Sequence, residues 1–192
     1  MMVPRPAVFL DRDGVINREG GYVHDVGEFD FIAGVFDACR VMSRAGYRLI
    51  VITNQAGIAR GYYTEDDFLQ LTRWMLDTFR QQGIEIDGVY YCPHHPVHGV
   101  GSYHRDCDCR KPAPGMIMRA AKEHALDLQR SILVGDKGTD VEAGRAAGVG
   151  CCVLVQTGHP VSNKDLDKAD AVFDGLPEVS HALVNNRLCA DL

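Results

Sequence analysis

Six short, continuously apolar runs punctuate the chain, at residues 7–10, 49–52, 89–91, 132–134, 151–155 and 171–173. The first, Ala7-Val8-Phe9-Leu10, shows the type, with no polar residue inside it. A strand with one wet face alternates apolar and polar. An unbroken apolar run is buried on both faces, as in a parallel sheet covered by helices. The intervening stretches predict those helices. Residues 34–45 carry Val35, Ala38, Val41 and Met42 at i, i+3 and i+4 spacing and stop before Gly46. Residues 64–82 open on Thr64 with Asp67 three positions on, close to a capping box, and present Phe68, Leu71, Met75 and Phe79 on one face. Helical patterns at 114–126, 140–147 and 177–184 complete the set, with Gly148 placed to stop the second of these. The expectation is an α/β chain with a Rossmann-like, doubly wound parallel sheet flanked by helices. No repeat, low-complexity tract or linker interrupts residues 1–192, so one domain is expected.

The apolar runs end in chemistry. In open α/β sheets, ligands bind beyond the carboxyl ends of the strands. The first run leads straight into Asp11-Arg12-Asp13-Gly14, two carboxylates one residue apart. Carboxylates at the end of a buried strand are costly unless a cation or a catalytic duty keeps them there. The second run ends in Thr53-Asn54-Gln55, and the fourth in Gly135-Asp136-Lys137, continuing Gly138-Thr139-Asp140. Between them, Arg110-Lys111-Pro112 leads into a predicted helix.

Residues 92–112 lack any period. Cys92-Pro93-His94 and Cys107-Asp108-Cys109 flank a loop of twelve residues. Four soft or borderline donors in this arrangement suit a closed tetrahedral zinc site with no position left for water. His95, His98 and His104 are alternatives to His94 at this level. Such a site would fix Arg110 and Lys111, which follow it immediately.

The formal net charge of −6 argues against broad nucleic-acid or anionic-membrane binding. It therefore disfavours a nucleic-acid-binding zinc module. An anionic substrate must be held by a local cationic pocket. No apolar run approaches the roughly 20 residues of a membrane span, and residues 1–6 lack the apolar core of a signal peptide. A cytoplasmic monomer is expected. Its seven cysteines are then not a disulfide framework, and Cys39, Cys151, Cys152 and Cys189 read as core or tail residues.

The four strand-end elements together resemble the haloacid dehalogenase superfamily of phosphatases. The resembling motifs are Val8-Phe9-Leu10-Asp11-Arg12-Asp13-Gly14, Val51-Ile52-Thr53-Asn54, Arg110-Lys111-Pro112 and Val134-Gly135-Asp136 through Asp140. The resemblance implies a phosphoric monoester hydrolase. Asp11 would be the nucleophile that forms an aspartyl-phosphate, Asp13 the general acid and base, and Thr53 and Lys111 the holders of the phosphoryl oxygens. Mg²⁺ would be bound by Asp11, Asp136 and the backbone carbonyl of Asp13, with Asp140 orienting the region. Neither inter-motif segment is large enough for a cap domain, so a capless type with a zinc-binding loop is expected, and the resemblance picks His94 to join Cys92, Cys107 and Cys109. Capless members with this loop act on heptose 1,7-bisphosphate or on histidinol phosphate. Gly21-Tyr22-Val23-His24, Thr53 through Gly61, and Tyr91 through Pro96 look most like the heptose side. The small phosphorylated sugar would then meet Arg12, Glu19, Gly20, Gly21, Tyr22, Asn54, Gln55, Ala56, Arg60, Arg110 and Lys137.

Overall fold

A computed structural model of the chain describes residues 4–189. All six expected strands form: β1 (Ala7–Leu10), β2 (Arg48–Asn54), β3 (Gly88–Cys92), β4 (Ile132–Gly135), β5 (Cys151–Val155) and β6 (Ala171–Phe173). They make one parallel sheet in the order β3-β2-β1-β4-β5-β6. The helices are α1 (Val35–Arg44), α2 (Ala56–Ala59), α3 (Glu65–Gln81), α4 (Gly115–His124), α5 (Gly138–Ala147), α6 (Asn163–Leu166) and α7 (Leu176–Val184). The single-turn helices α2 and α6 are too short to carry a sequence period. Among the described residues, no helix is long and apolar enough to cross a membrane.

Each central strand is buried throughout because its alternate side chains enter two different cores. Val8, Leu10, Leu49, Val51, Ile132 and Val134 face α1, α3 and α7. Ala7, Phe9, Ile50, Ile52 and Leu133 face Met116, Ile117 and Ala120 of α4 and Val141 and Ala143 of α5. The local signals hold as well. Thr64 and Asp67 form a reciprocal capping box at the start of α3. Gly148 ends α5 at φ +81°, in the left-handed region that favours glycine.

The register sets the site. Leu10 lies beside Val51 on one side and Val134 on the other. The residues that follow, Asp11, Ile52-Thr53 and Gly135-Asp136, therefore emerge at one level. This is also where the connections turn in opposite directions, between β1 and β4. The segment from Asp11 to Tyr47 holds a loop, one 3₁₀ turn (Val26–Glu28) and α1, with no inserted cap.

One cysteine expectation is corrected. Cys39 and Cys152 are buried in the two cores, but Cys151 at the start of β5 is disulfide-bonded to Cys189 beyond α7. The two are 38 positions apart with Cα atoms 6.2 Å from each other, so the fold brings them into bonding range without regard to the compartment argument. Closing a loop of that length restricts the unfolded chain, which the chain-entropy account values at about 4 kcal/mol. Cys189→Ser is expected to lower the unfolding free energy by about 2–4 kcal/mol in urea titrations. It should also abolish any further effect of dithiothreitol. Equal stability of parent and variant under oxidising conditions would show that the bridge constrains nothing in solution.

Candidate active site

A cavity of about 490 Å³ opens over the carboxyl edge of β1, β2 and β4. Asp11, Asp13, Glu19, Gly21, Tyr22, Thr53, Asn54, Gln55, Ala56, Arg60, Arg110, Lys111 and Lys137 line it, joined by Tyr63, His95, Thr139, Asp140 and His159. A larger groove of about 670 Å³ lies against edge strand β3 and α4, where Arg119 pairs with Glu123 and Asp87 with Arg48. The smaller cavity is the one where ionisable groups converge unneutralised.

Its floor is an ion cluster. The Lys111 ammonium lies 2.9 Å from Asp11 Oδ1 and 2.6 Å from Asp140 Oδ1, and donates to the Ile52 carbonyl at 3.1 Å. Asp11, Asp136 and Asp140 place carboxylate oxygens within 4.8 Å of one another. Burial pushes the Asp11 carboxyl up to about 8 although Lys111 pulls it down, and Asp140, Asp136 and Asp13 add to the rise. At Lys111 the partners win instead: burial disfavours its charge, but Asp11 and Asp140 outweigh that and hold its proton more firmly than usual. One ammonium thus faces the carboxylates of Asp11 and Asp140 with Asp136 close by, and the crowding of like charge favours the protonated form of Asp11.

Asp136 supplies a second observation that bears on cation binding. Its side chain is fully buried, and Oδ2 accepts from the His159 backbone N–H at 2.9 Å and lies 2.7 Å from His159 Nδ1. Oδ1 is buried with no hydrogen-bond partner. A Cβ on Gly14, whose φ is +88°, would stand 2.5 Å from the Asp136 carboxylate, so only glycine fits there. Oxygen donors, surplus negative charge and an orphaned carboxylate oxygen fit a divalent cation such as Mg²⁺.

The other expected residues divide into those that face the cavity and those that hold them. Arg12 is only 2% exposed, and its guanidinium forks onto Asp13 at 2.8–3.2 Å and donates to the Val23 carbonyl at 2.7 Å. It stacks between Phe29 and Phe68, outside the cavity lining, so the expectation of a substrate contact is corrected. The side chain after Asp11 points to the opposite face and finds its partner inside the protein. Gly20 is likewise outside the lining. Asn54 does line the cavity, yet its amide is used on both sides by the Lys111 backbone, donating to the carbonyl and accepting from the N–H at 3.1 Å each. Gln55 Nε2 donates to Thr53 Oγ1 at 2.8 Å and to Asp13 Oδ2 at 3.2 Å. Tyr63 O–H donates to Gln55 Oε1 at 2.5 Å, which fixes the amide orientation. With Thr53 accepting from Gln55, its own hydroxyl hydrogen is free for another acceptor.

Tyr63, Thr157 and His159 went unread in the sequence. The strand-end argument already held the signal for the last two, because β5 ends at the same edge and leads into Gln156-Thr157-Gly158-His159. Thr157 Oγ1 donates to the Gly14 carbonyl at 2.6 Å, tying that loop to the one after β1.

Residues 92–112 fold around a second cluster. Cys92 Sγ lies 3.4 Å from Cys107 and 3.0 Å from Cys109, and His94 Nδ1 lies 3.7 and 3.4 Å from Cys92 and Cys109. A zinc tetrahedron with Zn–S bonds of about 2.3 Å has edges of roughly 3.8 Å, so the four donors fit one soft cation. His95 and His104 are turned elsewhere, His95 Nδ1 accepting from Val97 and His98 N–H groups and His104 Nε2 facing the Pro96 carbonyl.

A HAD-hydrolase-like family model matches residues 108–179, the segment containing Lys111, Asp136 and Asp140. Over 180 residues the chain is 51% identical to a D-glycero-β-D-manno-heptose-1,7-bisphosphate 7-phosphatase of Vibrio cholerae, covering 94% of this chain and 97% of that one. The chain belongs to this family of HAD-like phosphatases. It is therefore a phosphoric monoester hydrolase. A Haemophilus influenzae member with the same description is 50% identical, over 92% of this chain and 96% of its own length. A crystal structure described as D,D-heptose 1,7-bisphosphate phosphatase from B. bronchiseptica, complexed with magnesium and phosphate, superposes with a TM-score of 0.81 at 30% identity. It covers 94% of this chain and 99% of that one.

The raised Asp11 carboxyl gives this phosphatase a pH signature. In the metal-free protein the folded state favours protonated Asp11, so Asp11's contribution to stability is lost as pH rises through about 8. A cation that binds ionised Asp11 opposes that loss. The Tm gain on adding Mg²⁺ is expected to grow from about pH 6 to about pH 9 and to lose this dependence in Asp11→Asn. A Mg²⁺ shift that is flat with pH in the parent would contradict the assignment.

Proposed function

We propose that this phosphatase removes the 7-phosphate of D-glycero-D-manno-heptose 1,7-bisphosphate, β anomer, through an aspartyl-phosphate on Asp11. The observation that carries the chemistry is Asp11 at the cavity floor, gripped by Lys111 and with a carboxylate oxygen within 4.8 Å of one on the buried Asp136, whose Oδ1 has no hydrogen-bond partner. The substrate and its anomer are supported by relatives described as D-glycero-β-D-manno-heptose-1,7-bisphosphate 7-phosphatases, about half identical along nearly the whole chain.

In this reading Asp11 attacks phosphorus in line, and the bond to the sugar oxygen breaks as Asp13 gives that oxygen a proton. Water then cleaves the aspartyl-phosphate, with Asp13 accepting its proton. The Thr53 hydroxyl and Lys111 ammonium hold the phosphoryl oxygens while charge shifts among them. Asp11, Asp136 and the Asp13 carbonyl would hold Mg²⁺, which would supply positive charge against the phosphate dianion when bound. A crystallised relative with magnesium and phosphate supports that choice of metal. Zn²⁺ on Cys92, His94, Cys107 and Cys109 has a structural role, holding the residues that lead into Arg110 and Lys111.

A bisphosphate needs a second cationic site outside the chemical centre. Arg60, Arg110 and Lys137 line the cavity and oppose the chain's net charge of −6. With the primary 7-phosphate at Asp11, the 1-phosphate faces Arg110, while Glu19, Gly21, Tyr22 and Ala56 border the sugar. Histidinol phosphate carries no second anion for these cations to meet. The enzyme then serves the making of heptose precursors for lipopolysaccharide, as a cytoplasmic monomer.

Asp11→Asn keeps the shape but removes the nucleophile and a metal ligand, and phosphate release should fall by roughly 10³ or more. Activity within about tenfold of the parent would rule out Asp11 as nucleophile. Arg110→Ala should lose about 1.5–3 kcal/mol in kcat/KM for the heptose bisphosphate, and much less for a small generic ester. Product analysis should find heptose 1-phosphate. Higher kcat/KM for histidinol phosphate than for either heptose bisphosphate anomer would overturn the substrate assignment alone. Elemental analysis should give about one zinc per chain, lost in Cys107→Ala.

A further inference from the structure

Oxygens of a buried carboxylate are equivalent until the protein makes them different. At Asp136 they differ sharply. Oδ2 faces two groups of a single residue, the His159 backbone N–H at 2.9 Å and His159 Nδ1 at 2.7 Å, whereas Oδ1 has no partner. A carboxylate accepts and cannot donate, so the imidazole in this contact carries its hydrogen on Nδ1. The loop that brings His159 there is fastened at its other end by Thr157 to the Gly14 carbonyl. Gly14 and Gly158 close against the same carboxylate, and a Cβ on either would overlap it. The carboxylate therefore rotates only by breaking two hydrogen bonds.

We infer that His159 is a positioning residue for the cation site: by holding Asp136 Oδ2 it leaves Oδ1 as the oxygen that meets the metal. The inference rests on the proposed divalent cation at Asp11 and Asp136. Groups that orient a metal-ligating carboxylate affect affinity although they never touch the ion. The imidazole is part-exposed at the cavity wall, with Glu19 Oε2 3.9 Å from Nδ1. Its removal opens space towards solvent and leaves both cores intact. The backbone N–H stays behind, so the ring's share can be tested separately.

The experiment measures Mn²⁺ binding by the loss of free-ion EPR signal, in the parent, His159→Ala, His159→Asn and Asp136→Asn. Asparagine offers an N–H at nearly the same reach as Nδ1. His159→Ala is expected to weaken Mn²⁺ binding about tenfold or more, the range for a group that orients a ligand. His159→Asn should stay within about threefold of the parent, and the metal-free Tm of both should match it. With a phosphate ester, His159→Ala should need about tenfold more Mg²⁺ for half-maximal rate yet reach a kcat near that of the parent at saturation. Parent-like Mn²⁺ affinity in His159→Ala overturns the inference and leaves the phosphatase reading standing. Equal loss in Ala and Asn variants, or a kcat that saturating Mg²⁺ does not restore, also overturns it. A parent that binds no Mn²⁺, or binds it no better than Asp136→Asn, overturns the cation site and the inference together.

Discussion

A single ammonium group, that of Lys111, lies where three carboxylates meet. It is almost entirely buried, which would cost several kcal/mol without partners of opposite charge. Asp11 and Asp140 are those partners, and both lie within 3 Å of its nitrogen. The balance is uneven: removing Lys111 would leave the carboxylates facing one another, and keeping it still leaves Asp11 pushed towards protonation. Everything around the site either brings these charges together or restrains them.

Two constructions bring Lys111 to that point. Its backbone is gripped by the Asn54 side-chain amide, so the lysine is docked on the end of β2. Two residues earlier, Cys109 enters the Cys/His cluster, whose first member, Cys92, ends β3 and pairs in register with Asn54. Asn54, Cys92, Cys109 and Lys111 thus form a short closed circuit of backbone pairing, sulfur cluster and amide clamp. The long aperiodic loop is tied at both ends beside the chemistry.

The layered sheet was legible because burial on two faces leaves an unbroken apolar run, and both period and caps are local properties. Asp11 and Thr53 were legible because each follows or ends an apolar run, Lys111 because it leads into a helix, and the Cys/His pairs because of their tight spacing. Arg12 misled because a charged residue inside a catalytic-looking tetrapeptide reads as a ligand contact. Only the fold shows that it turns inward to Asp13 and the Val23 carbonyl. Asn54 and Gln55 read as contacts for the same reason, yet their amides are engaged by Lys111, Thr53, Asp13 and Tyr63. The Cys151–Cys189 bridge depends on a packing of β5 and the tail that no local pattern encodes.

The position of Asp11 has a consequence for local opening. Its own amide donates to the Val134 carbonyl at 3.0 Å, continuing the ladder between the two central strands. Amides in such ladders exchange with solvent through opening that approaches global unfolding, whereas surface loops open at far lower free energy. The cavity therefore joins two regimes of protection. Its outer wall around Glu19 and Tyr22 lies on a partly exposed loop, the kind of segment that opens at lower free energy. The Asp11 carboxylate sits on backbone that gives up its hydrogen bonds last, so opening at the mouth need not displace it.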